Sequence, residues 1–192
     1  MNTKKSFQIY YLLLVEGTTE FNLFAYLTKN KFRDDFEKSN IKFSNKVTIT
    51  DIGISGGKLN GGVSNLSSFK GKYNPIKKDE RYKGEKLFFV IDKDFDDSSK
   101  VEILIKKDGN VVQFVEYNSE HLLLRFGKRN PKNPSDFTSL VDFRNYCKAE
   151  FQKHFNKKAS DFKDSDFDLI FSNIKDEEIC KSFSELFSTL SS

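Results

Sequence analysis

Leu87-Phe88-Phe89-Val90-Ile91-Asp92-Lys93-Asp94 decides how this chain is read, with a counterpart near the N-terminus, Tyr10-Tyr11-Leu12-Leu13-Leu14-Val15-Glu16-Gly17. Each is an unbroken apolar run of strand length that ends in acid. Continuous apolar runs are what strands covered on both faces of a parallel sheet require. In open α/β sheets, ligands bind beyond the carboxyl ends of such strands. Glu16, Asp92 and Asp94 are therefore expected at one sheet edge. Carboxylates gathered in one place repel each other unless a cation lies between them, and a hard divalent ion with oxygen ligands suits that position.

Outward from these two runs, the chain alternates strand and helix. Val47 to Ile52 is β-branched and reads as a strand. Asn110 to Val115 reads as another. Thr18–Phe32, Ser98–Lys107, Ser119–Phe126 and Phe137–Phe155 read as helices, and Glu177 to Leu190 as a helical tail. Lys58 to Gly84 is rich in glycine, serine and lysine and reads as one weak helix followed by a loop. The expected fold is α/β: a mostly parallel four-stranded sheet flanked by helices with right-handed crossovers, and a helical C-terminal extension. Residues 1–126 form the expected catalytic domain, with 127–192 packed on it.

The chain has 192 residues, with 21 Phe, no Trp and 31% charged residues. That length suits a single domain with a substantial core. A net charge of +4 permits nucleic-acid binding without demanding it. Cys147 and Cys180 lie far apart with no CxxC spacing, so neither a disulfide framework nor a zinc site is indicated. The first apolar run is too short to span a membrane and enters the strand directly, which gives a cytoplasmic expectation.

Leu14-Val15-Glu16-Gly17-Thr18-Thr19-Glu20 resembles the first motif of the Toprim domain, a strand ending in Glu-Gly. Phe89-Val90-Ile91-Asp92-Lys93-Asp94 resembles its second, a DxD at a later strand end. The stretch Asn118-Ser119-Glu120-His121-Leu122-Leu123-Leu124-Arg125-Phe126 is similar to the small RloB-like and OLD-type nuclease branch. The resemblance covers roughly residues 8 to 126. It implies Mg²⁺- or Mn²⁺-dependent phosphodiester hydrolysis of DNA or RNA, with one or two ions, in prokaryotic anti-phage defence or DNA repair. By the same motifs Glu16, Asp92 and Asp94 would be catalytic and metal-holding. Asp96, on the DxD loop, joins the metal set, while Glu20, Asp97 and Glu120 are further candidates with ordinary helix-terminal readings beside them.

Lys58, Lys70, Lys72, Lys77, Lys78, Lys93 and Arg125 are candidate nucleic-acid contacts. Tyr73 and Tyr82 are interleaved with the lysines of 70–86, a combination that suits single strands. A solvated loop explains the same stretch. His121 and His154 read as packing or surface residues. The alternative function is a non-enzymatic or conditionally active subunit controlled by an ATPase encoded nearby, docked through the Phe-rich region 137–190. A homodimer is a further partner expectation. Packing of those Phe residues on the sheet is the simpler reading. A haloacid-dehalogenase-type phosphatase would place its DxD on the first strand, and here it follows a later one.

Overall fold

A computed structural model describes residues 9–39, 41–48, 62–84 and 86–190. Strand β1 (Ile9–Val15) lies at the centre of a parallel sheet, hydrogen-bonded on one side to β3 (Lys86–Asp92), which in turn pairs with β4 (Val111–Val115). Strand β2 (Ile41–Thr48) runs parallel along the other side of β1, giving the order β2-β1-β3-β4.

The two apolar runs supply both faces of this sheet because successive side chains on a strand alternate. Leu13, Val15, Phe88 and Val90 point to one face; Leu14, Leu87, Phe89 and Ile91 point to the other. The first face is covered by α1 (Thr18–Tyr26), α5 (Ser119–Phe126), the later part of α6 (Leu140–Phe155), α7 (Asp164–Phe171), α8 (Asp176–Ser182) and α9 (Ser184–Leu190). The second face is covered by α3 (Leu66–Lys78) and α4 (Ser98–Lys107). Between α1 and β2 lie a π-helical turn, Leu27–Lys31, and the short α2 (Arg33–Lys38). The mixed α/β class, the open parallel sheet and the helical C-terminal part agree with the sequence reading.

Three local expectations are corrected. The second strand begins earlier than expected, at Ile41, and includes Val47 and Thr48; the rest of the expected strand and its glycine-rich turn, residues 49–61, lie outside the described residues. The weak helix is a 13-residue α3, held at its start by a capping box. The Asn65 side chain accepts from Ser68 N at 2.8 Å, and Ser68 Oγ accepts from Asn65 N at 3.1 Å. Gly71 and Pro75 inside it lower its intrinsic propensity, which is why periodicity alone undervalued it. The lysines of residues 70–78 thus lie on a helix, and the expected loop follows it at 79–84: Tyr73 is buried against Phe69 and Phe89, its hydroxyl donating to Asp108 at 2.7 Å.

The Phe-rich C-terminal region packs inward. Phe143, Phe151, Phe162, Phe167, Phe171 and Phe183 are all buried, and Phe155 and Phe187 lean on the same cluster. Among the described residues, no helix is long and apolar enough to cross a membrane.

Candidate active site: an acid cleft at the carboxyl edge of the sheet

The register of β1 and β3 makes the site. Val15 pairs with Val90, so the chain leaves β1 beside the end of β3. Glu16 N donates to Val90 O at 3.1 Å, and Asp92 N donates to Glu16 Oε2 at 3.1 Å. The other oxygen of Glu16 accepts from Val63 N at 2.8 Å. Gly62, just before Val63, leaves the room this needs: a Cβ there would fall 1.7 Å from Glu16 Oε1. Gly17 serves Glu20 in the same way, since its missing Cβ would stand 3.0 Å from Glu20 Oε2. The Glu-Gly pair is thus explained by space, with Gly17 itself in ordinary extended backbone.

Asp92 is met from β4. Tyr117 takes a left-handed conformation (φ 62°), an uncommon state for a residue with a Cβ, and turns the chain after β4. Asn118 then caps α5 by accepting from His121 N at 2.9 Å, and Ser119 donates both N–H and hydroxyl to Asp92 Oδ1 at 3.1 Å. Asp94 is held from α6: Arg144 Nε binds Asp94 Oδ2, while Nη2 donates to Oδ1 at 3.0 Å and to the Asp94 carbonyl at 2.9 Å.

Glu16, Asp92 and Asp94 line a cleft of about 410 Å³, whose wall also carries Glu120 and the cations Lys72, Arg144 and Lys148. Burial first, and then mutual repulsion, raises the carboxyls. Glu16 is pushed up to about 8, by burial and by Glu20 and Asp94, against the two backbone N–H bonds that favour its charge. Glu20, buried behind the cleft, is raised by burial and by Asp94, with a hydrogen bond from Ser119 opposing. Asp92 is raised well above the usual range by burial and by Glu20, Glu16, Glu120 and Asp94. Glu120 is raised by burial and Glu20. Asp94 is raised by burial, with Arg144 working against it. Burial also lowers Lys72, partly offset by Glu16. Groups shifted this way by environment cluster at functional sites.

Among the described residues, no three His, Cys, Asp or Glu side chains are arranged to hold a metal ion as they stand. The contacts give the reason: Asp94 faces Arg144 and both Glu16 oxygens face backbone N–H groups. The chemistry of the donors still fits a hard cation, because all are carboxylates and their charges meet in one water-accessible cleft.

The sequence-derived candidates divide clearly. Glu16, Asp92, Asp94, Glu20 and Glu120 converge, and Glu20 proves more central than its first-turn position suggested. Asp96 is exposed and does not line the cleft. Asp97 pairs with Lys100 at 2.7 Å and accepts from Leu66 N at 3.5 Å, joining α4 to α3. Of the expected nucleic-acid contacts, only Lys72 lines the cleft. Lys70, Lys78 and Lys93 are exposed elsewhere, Lys77 pairs with Asp108 at 2.8 Å, Arg125 pairs with Glu116, and Lys58 lies outside the described residues. Arg144 and Lys148 escaped the sequence reading. Their signal was a polar stripe, Arg144-Lys148-Gln152 at spacing four, beside the apolar stripe Phe143-Cys147-Phe151. No family model, no curated protein and no solved structure matches this chain.

Proposed function

We propose that the chain is a metal-dependent nuclease of Toprim type, close to the RloB-like and OLD-type branch, hydrolysing phosphodiesters of DNA or RNA with Mg²⁺ or Mn²⁺. One observation carries the reading. Two acid-ended apolar strands lie side by side in parallel register, so that Glu16 and Asp92 share a backbone hydrogen bond at the sheet's carboxyl edge. Glu16, Asp92 and Asp94 would hold the ion, with Glu20 and Glu120 adding negative field behind them. The bound ion supplies charge neutralisation on the phosphate and a water of lowered pKa. The chain's own groups do the rest. Glu16 would serve as a ligand or, where the ion rests on Asp92 and Asp94, as the carboxylate that takes or returns a proton at the reacting oxygen. Lys148 lines the cleft, and Arg144 lies there with its Nε and Nη2 on Asp94, so the two bring cationic charge to a phosphate's non-bridging oxygens. A role in anti-phage defence or repair is part of the same proposal.

The test has two arms. Mn²⁺ binding is read by electron paramagnetic resonance, and cleavage is read on plasmid, single-stranded DNA and transfer RNA. Wild type binds Mn²⁺ and cuts at least one substrate. Asp92→Asn loses cutting yet gains thermal stability, because an amide removes one repelling charge from the cleft. A wild type that neither binds Mn²⁺ nor cuts any substrate, or an Asp92→Asn variant that still cuts, rejects the reading.

A further inference from the structure

A second chamber of about 490 Å³ adjoins the acid cleft, and the two share Glu120 and Lys148 in their lining. Beyond that pair the chamber is lined by Thr19 from α1, Gln152 from α6, and Lys158 and Ser160 from the turn after α6. One helix connects the two spaces. Arg144 and Lys148 face the first, Lys148 and Gln152 the second, and eight residues of helix carry this stripe over about 12 Å.

The second chamber differs chemically from the first. Glu120 is its only acid, standing at the junction, and every other polar group is a cation or a neutral donor. Lys158 has no acidic partner among the described residues, while its neighbour Lys157 is bound to Asp166 at 2.7 Å. The wall is fixed in place: Asn22 donates to the carbonyls of Ser160 and Phe162 at 3.1 and 3.3 Å, and Ala159 is buried in the core. Past Ser160 the surface is of mixed charge, with Asp161 and Asp164 on either side of Lys163.

We infer that this chamber is the track for a single-stranded polynucleotide, receiving the sugar-phosphate unit next to the one at the acid cleft. The inference rests on the nuclease reading and names the form of its substrate. A space of about 490 Å³ has room for a nucleotide unit or two of one strand and not for two paired strands. Among the described residues no aromatic side chain lines the chamber, so contact is made through the backbone and is indifferent to base sequence. Past Ser160 two acids flank the one cation Lys163, so the run of cations and neutral donors ends there and one or a few nucleotides are gripped.

The experiment measures fluorescence anisotropy of a labelled short oligothymidylate, and of the corresponding duplex, with the full chain in Ca²⁺, beside Mn²⁺ binding by paramagnetic resonance. Wild type is expected to bind the single strand more tightly than the duplex. Lys158→Glu, at an exposed position that leaves the fold intact by circular dichroism, should weaken single-strand binding several-fold. It should also lower the salt slope of log K by about 0.7, as loss of one phosphate contact requires. Gln152→Ala, a charge-neutral change, should weaken binding without changing that slope. Mn²⁺ affinity stays at the wild-type value in both. Single-strand binding that Lys158→Glu leaves unchanged, or a preference for duplex, overturns the track. So does a wild type that takes up Mn²⁺ but retains no strand, an outcome that leaves the metal reading standing; absence of Mn²⁺ binding removes both.

Discussion

Gly62 and His121 show how single residues set the site's limits. Gly62 leaves space for a carboxylate, since any Cβ there would collide with Glu16 Oε1. Gly62→Ala should therefore move the Glu16 side chain or part it from Val63 N. We expect Mn²⁺ affinity to fall at least about tenfold, in line with loss of a ligand's orienting contacts. The melting temperature should change little, because the displaced group is the end of a flexible side chain. Titrating Mn²⁺ into both proteins checks this, and equal affinities would contradict the assignment of Glu16. His121 is buried between Tyr117 and Phe143, at ring distances of 4.9 and 5.6 Å, with the Lys132 backbone near its ring and not in good hydrogen-bond geometry. Burial, then Arg125, lowers its pKa from 6.5 to about 4, with Glu116 opposing. The sign follows from linkage: between 6.5 and about 4 the unfolded chain takes up a proton that the folded chain resists, so this residue's contribution to stability falls as pH falls. His121→Leu removes that loss. Urea unfolding of both proteins across this range should show the variant gaining on wild type toward acid. A constant difference would mean that His121 is not held neutral.

Helix α6 gives the site its cationic wall, and its worth is testable at the level of the element. Asp94 is only 7% exposed, and Arg144 is its counter-ion. Removing one partner of a fully buried pair costs about 3–5 kcal/mol because the other charge stays behind. Arg144 is 29% exposed, so water screens part of this, and about 1–3 kcal/mol is the expected loss for Arg144→Ala. A divalent cation beside Asp94 would replace the missing charge. Excess Mn²⁺ should thus restore the variant's melting temperature more than it raises wild type's, as differential scanning calorimetry would show; equal increments would mean that Asp94 does not meet the ion. The elements themselves were unevenly legible. α4 and α5 begin and end where the sequence placed them, α5 through its Asn118 cap and α4 through its apolar spacing and the Asp108-Gly109 stop. The expected helix over residues 18–32 is broken by a π-helical turn at 27–31, and the expected tail helix by Phe183, where α8 stops and α9 begins. Neither break has a glycine or proline to announce it. In the site, acids at strand ends could be read from pattern, since a strand's end fixes where its next residue lies. Arg144 and Lys148 could not, because only packing of α6 against the sheet edge decides which side of that helix meets the acids.

At the scale of the molecule, the aromatic content explains how so acidic a cleft is tolerated. Repulsion among Glu16, Glu20, Asp92, Asp94 and Glu120 works against folding, and the offsetting stabilisation lies on the sheet's first face. There β1, α1, α5 and the C-terminal helices share one apolar cluster with Phe24, Phe126, Phe171 and Phe183 inside it. Phe183 sits edge-on to Phe24 at 5.3 Å and tilted to Phe126 at 6.4 Å, and it is fully buried. It thereby fastens the α8–α9 junction to the helix that follows Glu16 and to the helix that carries Glu120. Truncating a buried Phe to Ala costs about 3–5 kcal/mol, a transfer loss plus a cavity. For a chain of this size each kcal/mol lowers the melting temperature by about 2–4 °C. Phe183→Ala should then melt roughly 6–20 °C below wild type. Because Phe183 touches no group of the cleft, Mn²⁺ affinity measured below the transition should be unchanged. The contrast with Gly62→Ala, which spares stability and weakens the metal, makes the pair decisive. If Phe183→Ala lost metal affinity while still folded, the C-terminal helices would be shaping the acid cleft itself rather than only holding the sheet that presents it.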